Sequence, residues 1–110
     1  KNGVRVGDIS NSVEKVLNRY GFGIVRELVG HGVGHELHED PNIPNYGPAG
    51  KGPVLKSGMT IAIEPMTTLG SHDISTDADG WTIRTLDGSL AAHFEDTVLI
   101  TENSYEILTR

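Results

Sequence analysis

The chain has 110 residues, of which 36% are hydrophobic and 22% charged, so it has the size and composition of one folded domain, residues 1–110, with a modest core. It has no cysteine, no apolar run long enough to cross a bilayer and no signal-peptide pattern at its start. These absences exclude disulfides and thiolate ligands, argue against a membrane protein and favour the cytoplasm. The net charge is −6, and twelve of the fifteen acidic residues follow Gly30, which disfavours nucleic acid as a partner and suits cations.

The first predicted element is an amphipathic helix in "ISNSVEKVLNRYG". Asp8 is the expected N-cap and Gly21 the expected C-terminal stop. The apolar residues recur at i, i+4, i+7, i+8 and i+11, which places them on one face of a helix. They are Ile9, Val13, Val16, Leu17 and Tyr20.

A short predicted strand, "FGIVREL", leads into the stretch "GHGVGHELHEDP" at residues 30–41. Its alternating glycines remove Cβ atoms around His31, so that a ligand or a bulky group can come close to the backbone. The segment "HELH" is superficially similar to the helical zinc motif H-E-x-x-H. Its spacing is one residue short, and each glycine would weaken a helix by about 1 kcal/mol. We therefore reject that motif and expect no helix here.

The remainder of the chain predicts a loop followed by strands. The proline- and glycine-rich "HEDPNIPNYGPAGKGP" is expected to be irregular. In "GMTIAIEPM", Met59, Ile61 and Ile63 share one face of a strand that ends at Pro65. After the polar stretch "GSHDISTDADG", further strands are predicted in "WTIRT", in "AAHFEDTVLIT" and at the end in "ENSYEILT", with a hairpin turn in "TLDGSL". One helix and four or five mainly antiparallel strands make an α+β fold.

Two carboxylates stand out within these strands. Glu64 ends an apolar strand, and Glu95 lies between Phe94 and the apolar run 98–100. Ionised carboxylates are seldom buried unless they are paired or bind a metal. With His31 they make an imidazole and carboxylate set suited to Mn, Fe, Co or Zn. The pattern alone leaves two interpretations open, a metal site or carboxylates that face solvent.

Four blocks of the sequence, taken together, resemble the bacterial type I methionine aminopeptidases. They are "GHGVGHELHEDP", "GMTIAIEPM", "DGWTIRTLDGSLAAHFEDTVLIT" and "EILT", in the order and spacing of that family. The resemblance implies the C-terminal half of a pita-bread fold, in which one N-terminal helix accompanies a curved, mainly antiparallel sheet. It also implies a metallopeptidase that removes the initiator methionine from nascent proteins.

The resemblance assigns roles to six residues. Metal ligands are expected at His31, Glu64 and Glu95, in a centre that holds two divalent ions (Co, Mn, Fe or Zn) in the complete enzyme. Catalytic roles are expected for His38, which binds the substrate near the scissile carbonyl, and for Glu64, which moves protons. Trp81 and Leu37 are expected to line the pocket for the methionine side chain. His35, Glu36 and His93 are expected to be ordinary surface or outer polar residues.

The resemblance also implies two aspartate ligands in a preceding half of the fold. We therefore expect this chain alone to bind at most one ion weakly and to have negligible peptidase activity. The expected partners are the N-terminus of a peptide or nascent protein and the other half of the fold. Self-association through an exposed strand edge is a further expectation.

Two other functions are compatible with the same sequence. One is a proline-specific pita-bread peptidase, an aminopeptidase P or prolidase, which would share the metal ligands. The residues after "EP", the Trp81 block and "SLAAHFEDT" favour the methionine enzymes over that alternative. The other is a non-catalytic pita-bread module that binds proteins, although such modules usually lose ligands that are present here.

Overall fold

The structure, a computed structural model, describes residues 1–71, 73–76, 78–80 and 83–110. Within these ranges it contains one helix and ten short strands. They are α1 (Val6–Arg19), β1 (Gly23–Ile24), β2 (Gly30–Val33), β3 (Glu39–Ile43), β4 (Thr60–Ile63), β5 (Met66–Thr68), β6 (Ile74–Thr76), β7 (Ile83–Thr85), β8 (Ala91–His93), β9 (Asp96–Ile100) and β10 (Tyr105–Ile107). No helix of this described part has the length and apolar character needed to cross a membrane.

The strands pair in antiparallel fashion throughout the described residues. A five-stranded sheet of order β10-β9-β4-β2-β3 forms the centre, beside a three-stranded sheet β1-β5-β8 and the pair β6-β7. The predicted α+β class with a mainly antiparallel sheet is therefore confirmed. The predicted number of strands was too low, because two long apolar segments each divide into two strands that belong to different sheets, and because β2, β3 and β6 lie in segments that were not predicted as strands.

The hydrophobic core lies between one face of the central sheet, the start of α1 and the loop that precedes β4. Strand β9 shows the alternation clearly, since its first, third and fifth residues are buried. The buried core residues are Val6, Ile43, Leu55, Ile61, Val98 and Ile100. The predicted face of Met59, Ile61 and Ile63 points into this core.

The helix begins earlier than predicted. Arg5 is the N-cap, and the Asp8 carboxylate accepts hydrogen bonds from the backbone N–H groups of Arg5 (2.9 Å) and Gly50 (2.7 Å). Asp8 thus secures the first turn from inside the helix instead of capping it. The predicted stop is confirmed, since Gly21 follows the helix with a positive φ of 74°.

The predicted apolar stripe of α1 is only partly covered. Val16 and Tyr20 are exposed, with 49% and 67% of their surface accessible. The other members of the stripe are half-buried. A cavity of about 510 Å³ runs between α1 and the strands β5 and β8. We call it the helix groove, and its apolar lining includes Val13, Val16, Leu17, Phe22, Pro65 and Phe94.

Three local predictions were wrong. The proline-rich segment was expected to be irregular, but it contains β3, which includes Pro41. This strand lies at the sheet edge, where proline is tolerated because one side of the strand needs no hydrogen-bond donor. The polar stretch 70–80, in which no strand was predicted, contains β6. The turn in "TLDGSL" connects β7 to β8, which belong to different sheets, so it does not form a hairpin between them.

Two glycines of β2 allow its neighbours to pack closely. A Cβ atom on Gly30 would collide with the carbonyl oxygen of Ala62 in β4, and one on Gly32 with the carbonyl oxygen of Asp40 in β3. The missing side chains therefore make room for backbone on both sides of β2. The sequence had indicated close approach here, but it had suggested a ligand.

We expect Gly32→Ala to destabilise the chain by roughly 1–3 kcal/mol, because the added methyl group meets backbone that can move only with the sheet. Urea unfolding monitored by circular dichroism measures the change. Gly34→Ala is the matched control, since its Cβ would meet only the end of the flexible Glu39 side chain. Equal stability losses in the two variants would contradict this account.

Candidate metal centre

Three side chains that are distant in sequence meet at one place on the central sheet. His31 lies on β2, Glu64 directly follows β4 and Glu95 directly precedes β9. Each offers one ligand atom, and these three atoms all lie within 4.8 Å of one another. The structure therefore brings together the three residues that the sequence marked as a metal set.

The strand register explains this convergence. His31 pairs with Ala62 across β2 and β4, and Ile63 pairs with Asp96 across β4 and β9. The same register continues beyond these strands, since the Phe94 N–H donates to the Pro65 carbonyl (3.1 Å) and Met66 then pairs with His93. Glu64 consequently lies opposite Glu95. Because side chains alternate between faces, both carboxylates share the face of Ala62 and His31.

The His31 ring is held in one orientation by its own backbone neighbour. Its Nδ1 lies 2.9 Å from the carbonyl oxygen of Gly32, and the residue is 8% exposed. A carbonyl oxygen only accepts hydrogen bonds, so this contact assigns the ring hydrogen to Nδ1. The lone pair of the neutral ring is then on Nε2, which lies 3.1 Å from Oε2 of Glu64. When the ring is neutral, two lone pairs face each other at this distance, and either a proton or a metal cation between them would satisfy both.

The surroundings of Glu64 disfavour the ionised form of its carboxyl group. Burial, and next the nearby Glu95 carboxylate, raise the pKa of Glu64 above its usual value, while His31 and His93 act in the opposite direction. Its Oε2 atom is buried and receives no hydrogen bond from the described residues, because the contact with His31 lacks hydrogen-bond geometry. A buried oxygen without a donor costs free energy that a positive ligand would recover.

The residue beside Glu95 shows what a satisfied carboxylate looks like in this fold. Asp96 points to the opposite face of the sheet and accepts hydrogen bonds from the Thr109 hydroxyl (2.7 Å) and from Nε of Arg110 (2.9 Å). Arg110 and Thr109 hold the pKa of Asp96 below its usual value. Asp96 therefore has its own cation, whereas Glu64 and Glu95 share a region of like charge.

The three other predicted site residues differ in where they lie. The ring of His38 packs against that of His31, with 4.0 Å between ring centroids, so the structure places His38 beside the centre. Leu37 is 75% exposed and makes no enclosed pocket with the described residues. Trp81 lies outside the described residues.

His93 is a further neighbour of the centre, to which the sequence interpretation gave no specific role. It was expected to be an ordinary surface or outer polar residue, and the register places it on the same face as Glu95, one cross-strand pair further along. The alternation of side chains along "HFED" would have been enough to find it, since residues 93 and 95 are two apart in an extended segment.

The chemistry of the donors fits a divalent cation. One imidazole nitrogen and two carboxylates match the preferences of Mn²⁺, Fe²⁺, Co²⁺ and Zn²⁺. The hydrogen bond from His31 to the Gly32 carbonyl is the kind of outer contact that orients metal-binding histidines. The unsatisfied Oε2 of Glu64 supplies an independent indication.

Comparisons with known proteins find relatives among the metallopeptidases. The profile "Metallopeptidase family M24" matches residues 1–102. "Methionine aminopeptidase 1" of Bacillus subtilis is 54% identical over 110 residues, which are the whole of this chain and 44% of that protein. The crystal structure of methionine aminopeptidase from Thermotoga maritima superposes with a TM-score of 0.97 at 55% identity, covering all of this chain and 44% of that one.

A more distant structure shares the fold as well. Prolidase from Pyrococcus furiosus superposes with a TM-score of 0.71 at 32% identity, over the whole of this chain and 27% of that one. The chain thus spans less than half the length of the relatives that it matches. The likeness to the methionine enzymes is the stronger one in both sequence and superposition.

The tautomer of His31 can be tested without any metal. We expect long-range ¹H–¹⁵N spectra of the neutral ring to show the hydrogen on Nδ1 and a bare Nε2, because Nδ1 faces the Gly32 carbonyl. Adding Zn²⁺ should then shift the Nε2 resonance selectively. The exposed His35 serves as the internal reference and should show the tautomer mixture of a free imidazole. A hydrogen on Nε2 of His31 in the metal-free chain would contradict this geometry.

Proposed function

The chain belongs to metallopeptidase family M24, and from that membership we propose that it forms the metal-binding C-terminal half of a methionine aminopeptidase. The reaction would be removal of the initiator methionine from nascent proteins in the cytoplasm. The observation that carries the proposal is the meeting of His31, Glu64 and Glu95 within 4.8 Å on one face of the sheet. The identity to methionine aminopeptidases over the whole chain supports the choice of substrate.

In this proposal, two divalent ions bound at the centre supply Lewis acidity and lower the pKa of a bound water near the scissile bond. His31 contributes Nε2, with its ring fixed by the Gly32 carbonyl. The opposed carboxylates of Glu64 and Glu95 provide the negative charge that holds cations. Co, Mn, Fe and Zn all accept this donor set, so the geometry selects a class of metals and not one of them.

Glu64 is the proposed proton carrier. Its carboxylate lies on the face where the cations would be held, and there it would take a proton from the attacking water and return it to the leaving amine. We propose that His38, which packs on His31, donates a hydrogen bond to the substrate carbonyl oxygen as negative charge develops there. We propose that Leu37 and Trp81 contact the methionine side chain once the substrate and the rest of the enzyme are in place.

The function is best tested in a chimera that joins this chain to the part of the Bacillus subtilis enzyme that it does not cover. We expect the chimera to release methionine from a Met-Ala-Ser peptide in the presence of Mn²⁺ or Co²⁺. Glu64→Gln and Glu95→Gln should each lower kcat/KM by about 100-fold or more, because a neutral amide neither binds the cation well nor carries the proton. The 110-residue chain assayed alone should show negligible release.

Glu102→Gln is the matched control for these variants, since Glu102 is an exposed carboxylate in the bend between β9 and β10. It should leave kcat/KM within about twofold, as expected for a surface substitution. Preferential cleavage of Xaa-Pro peptides would instead support a proline-specific peptidase. A chimera that binds no metal and cleaves neither peptide would identify a non-catalytic module.

The proposal also assigns a partner surface to the helix groove. Val16 and Phe94 are 49% and 57% exposed along this apolar cavity, which suits coverage by the other half of an aminopeptidase fold. Without that cover we expect the chain to self-associate through the same surface. Sedimentation velocity should therefore show oligomers that Val16→Lys reduces, because a charge in an apolar contact is costly. A wild-type chain that stays monomeric over a wide range of concentrations would argue against this surface.

A further inference from the structure

We propose that His93 is a positioning residue for Glu64, whose carboxylate it holds from the side opposite to His31. The inference rests on the proposed metal-binding function and adds a residue to which neither the sequence nor the family comparison gives a role. It concerns the part of the centre where β4 and β9 give way to β5 and β8.

The placement follows from the continuous register of the two strand pairs. Ile63 pairs with Asp96 and Met66 with His93, and the hydrogen bond from Phe94 to Pro65 keeps the ladder intact between them. Along this ladder the cross-strand pair after Glu64 and Glu95 on the same face is Met66 and His93. Diagonal neighbours on one face lie about 7–8 Å apart at Cα, within reach of a long side chain.

His93 is close enough to Glu64 for the two side chains to interact electrostatically, as the shared face requires. His31 reaches the same carboxylate from β2. Glu64 thus lies between imidazoles contributed by strands on its two sides.

The distances give His93 a different role from His31. The three ligand atoms that lie within 4.8 Å of one another come from His31, Glu64 and Glu95, and no nitrogen of His93 is among them. A side chain that adjoins a metal-binding carboxylate without joining its ligand set can orient that carboxylate as an outer hydrogen-bond donor, and this is the role that we assign to His93. A neutral imidazole always carries one N–H, so the role requires no change of charge.

The physical need for such a residue comes from the two opposed carboxylates. The carboxylates of Glu64 and Glu95 repel each other when both are ionised. A donor from β8 offsets that repulsion and keeps the second carboxylate oxygen occupied, leaving Oε2 directed at His31. Removing the donor should loosen Glu64 and weaken cation binding without unfolding the chain, because His93 is exposed.

Calorimetric titration of the 110-residue chain with Mn²⁺ and Co²⁺ provides the first test. We expect His93→Ala to raise the dissociation constant about tenfold, the range found for outer contacts of metal ligands. His93→Gln, which keeps an N–H donor, should stay within about threefold of wild type. The visible spectrum of bound Co²⁺ should change for His93→Ala and recover for His93→Gln. His35→Ala removes an exposed imidazole elsewhere and should change neither quantity.

A second measurement needs no metal and separates this inference from the proposed function. In a double-mutant cycle of His93→Ala and Glu64→Gln on the metal-free chain, we expect the shifts in melting temperature to depart from additivity by about 2 °C or more. The cycle of His35→Ala with Glu64→Gln should be additive.

If the wild-type chain binds metal and His93→Ala binds it equally well, the positioning role is overturned while the metal site stands. If the wild-type chain, with only three of the expected ligands, binds metal too weakly to measure, the titrations are made on the chimera. If the chimera also binds no metal, the proposed function loses its support, and the cycle alone decides the positioning role. Additive shifts for residues 64 and 93 then refute it, and non-additive shifts uphold it.

Discussion

The antiparallel pairing of β4 with β9 is the constraint on which the rest of this structure depends. It sets Ile61 opposite Val98 and Ile63 opposite Asp96, and the register persists beyond both strands. Since side chains alternate with a period of two, a slip of one residue in either strand would carry its carboxylate to the face that packs against α1. The buried aliphatic residues that stabilise this register therefore also determine where Glu64 and Glu95 meet.

The two faces of the paired strands β4 and β9 carry different kinds of side chain. One face presents Ile61, Ile63, Val98 and Ile100 to the core and ends in the apolar helix groove. The other presents the carboxylates and histidines. Asp96 is a carboxylate on the apolar face, and it is stabilised there by hydrogen bonds from both Thr109 and Arg110. Glu64 has no comparable arrangement among the described residues, and its oxygen remains without a donor.

The sequence predicted most reliably those features of the fold that depend on residues close together in the chain. The alternation in "GMTIAIEPM" and the glycine after α1 follow from local geometry, so both were predicted correctly. The anomalous positions of Glu64 and Glu95 indicated a shared role, but their meeting point depends on pairing between strands some thirty residues apart. The edge position of β3, which explains its tolerance of Pro41, and the approach of Gly50 to Asp8 are likewise set by tertiary contacts. No local pattern encodes them.

The arrangement that suits cation binding at the centre lowers the stability of the folded chain. Placing Glu64 beside Glu95 is destabilising, and the surrounding aliphatic packing offsets this cost because it holds both strands in register. A cation that neutralises the pair would stabilise the folded state by mass action, since the unfolded chain does not assemble the three donors. The repulsion between the two carboxylates therefore lowers the stability of the metal-free chain and raises its affinity for a cation. The histidines on either side of Glu64 moderate that repulsion without removing it, which leaves the carboxylates available for a divalent ion.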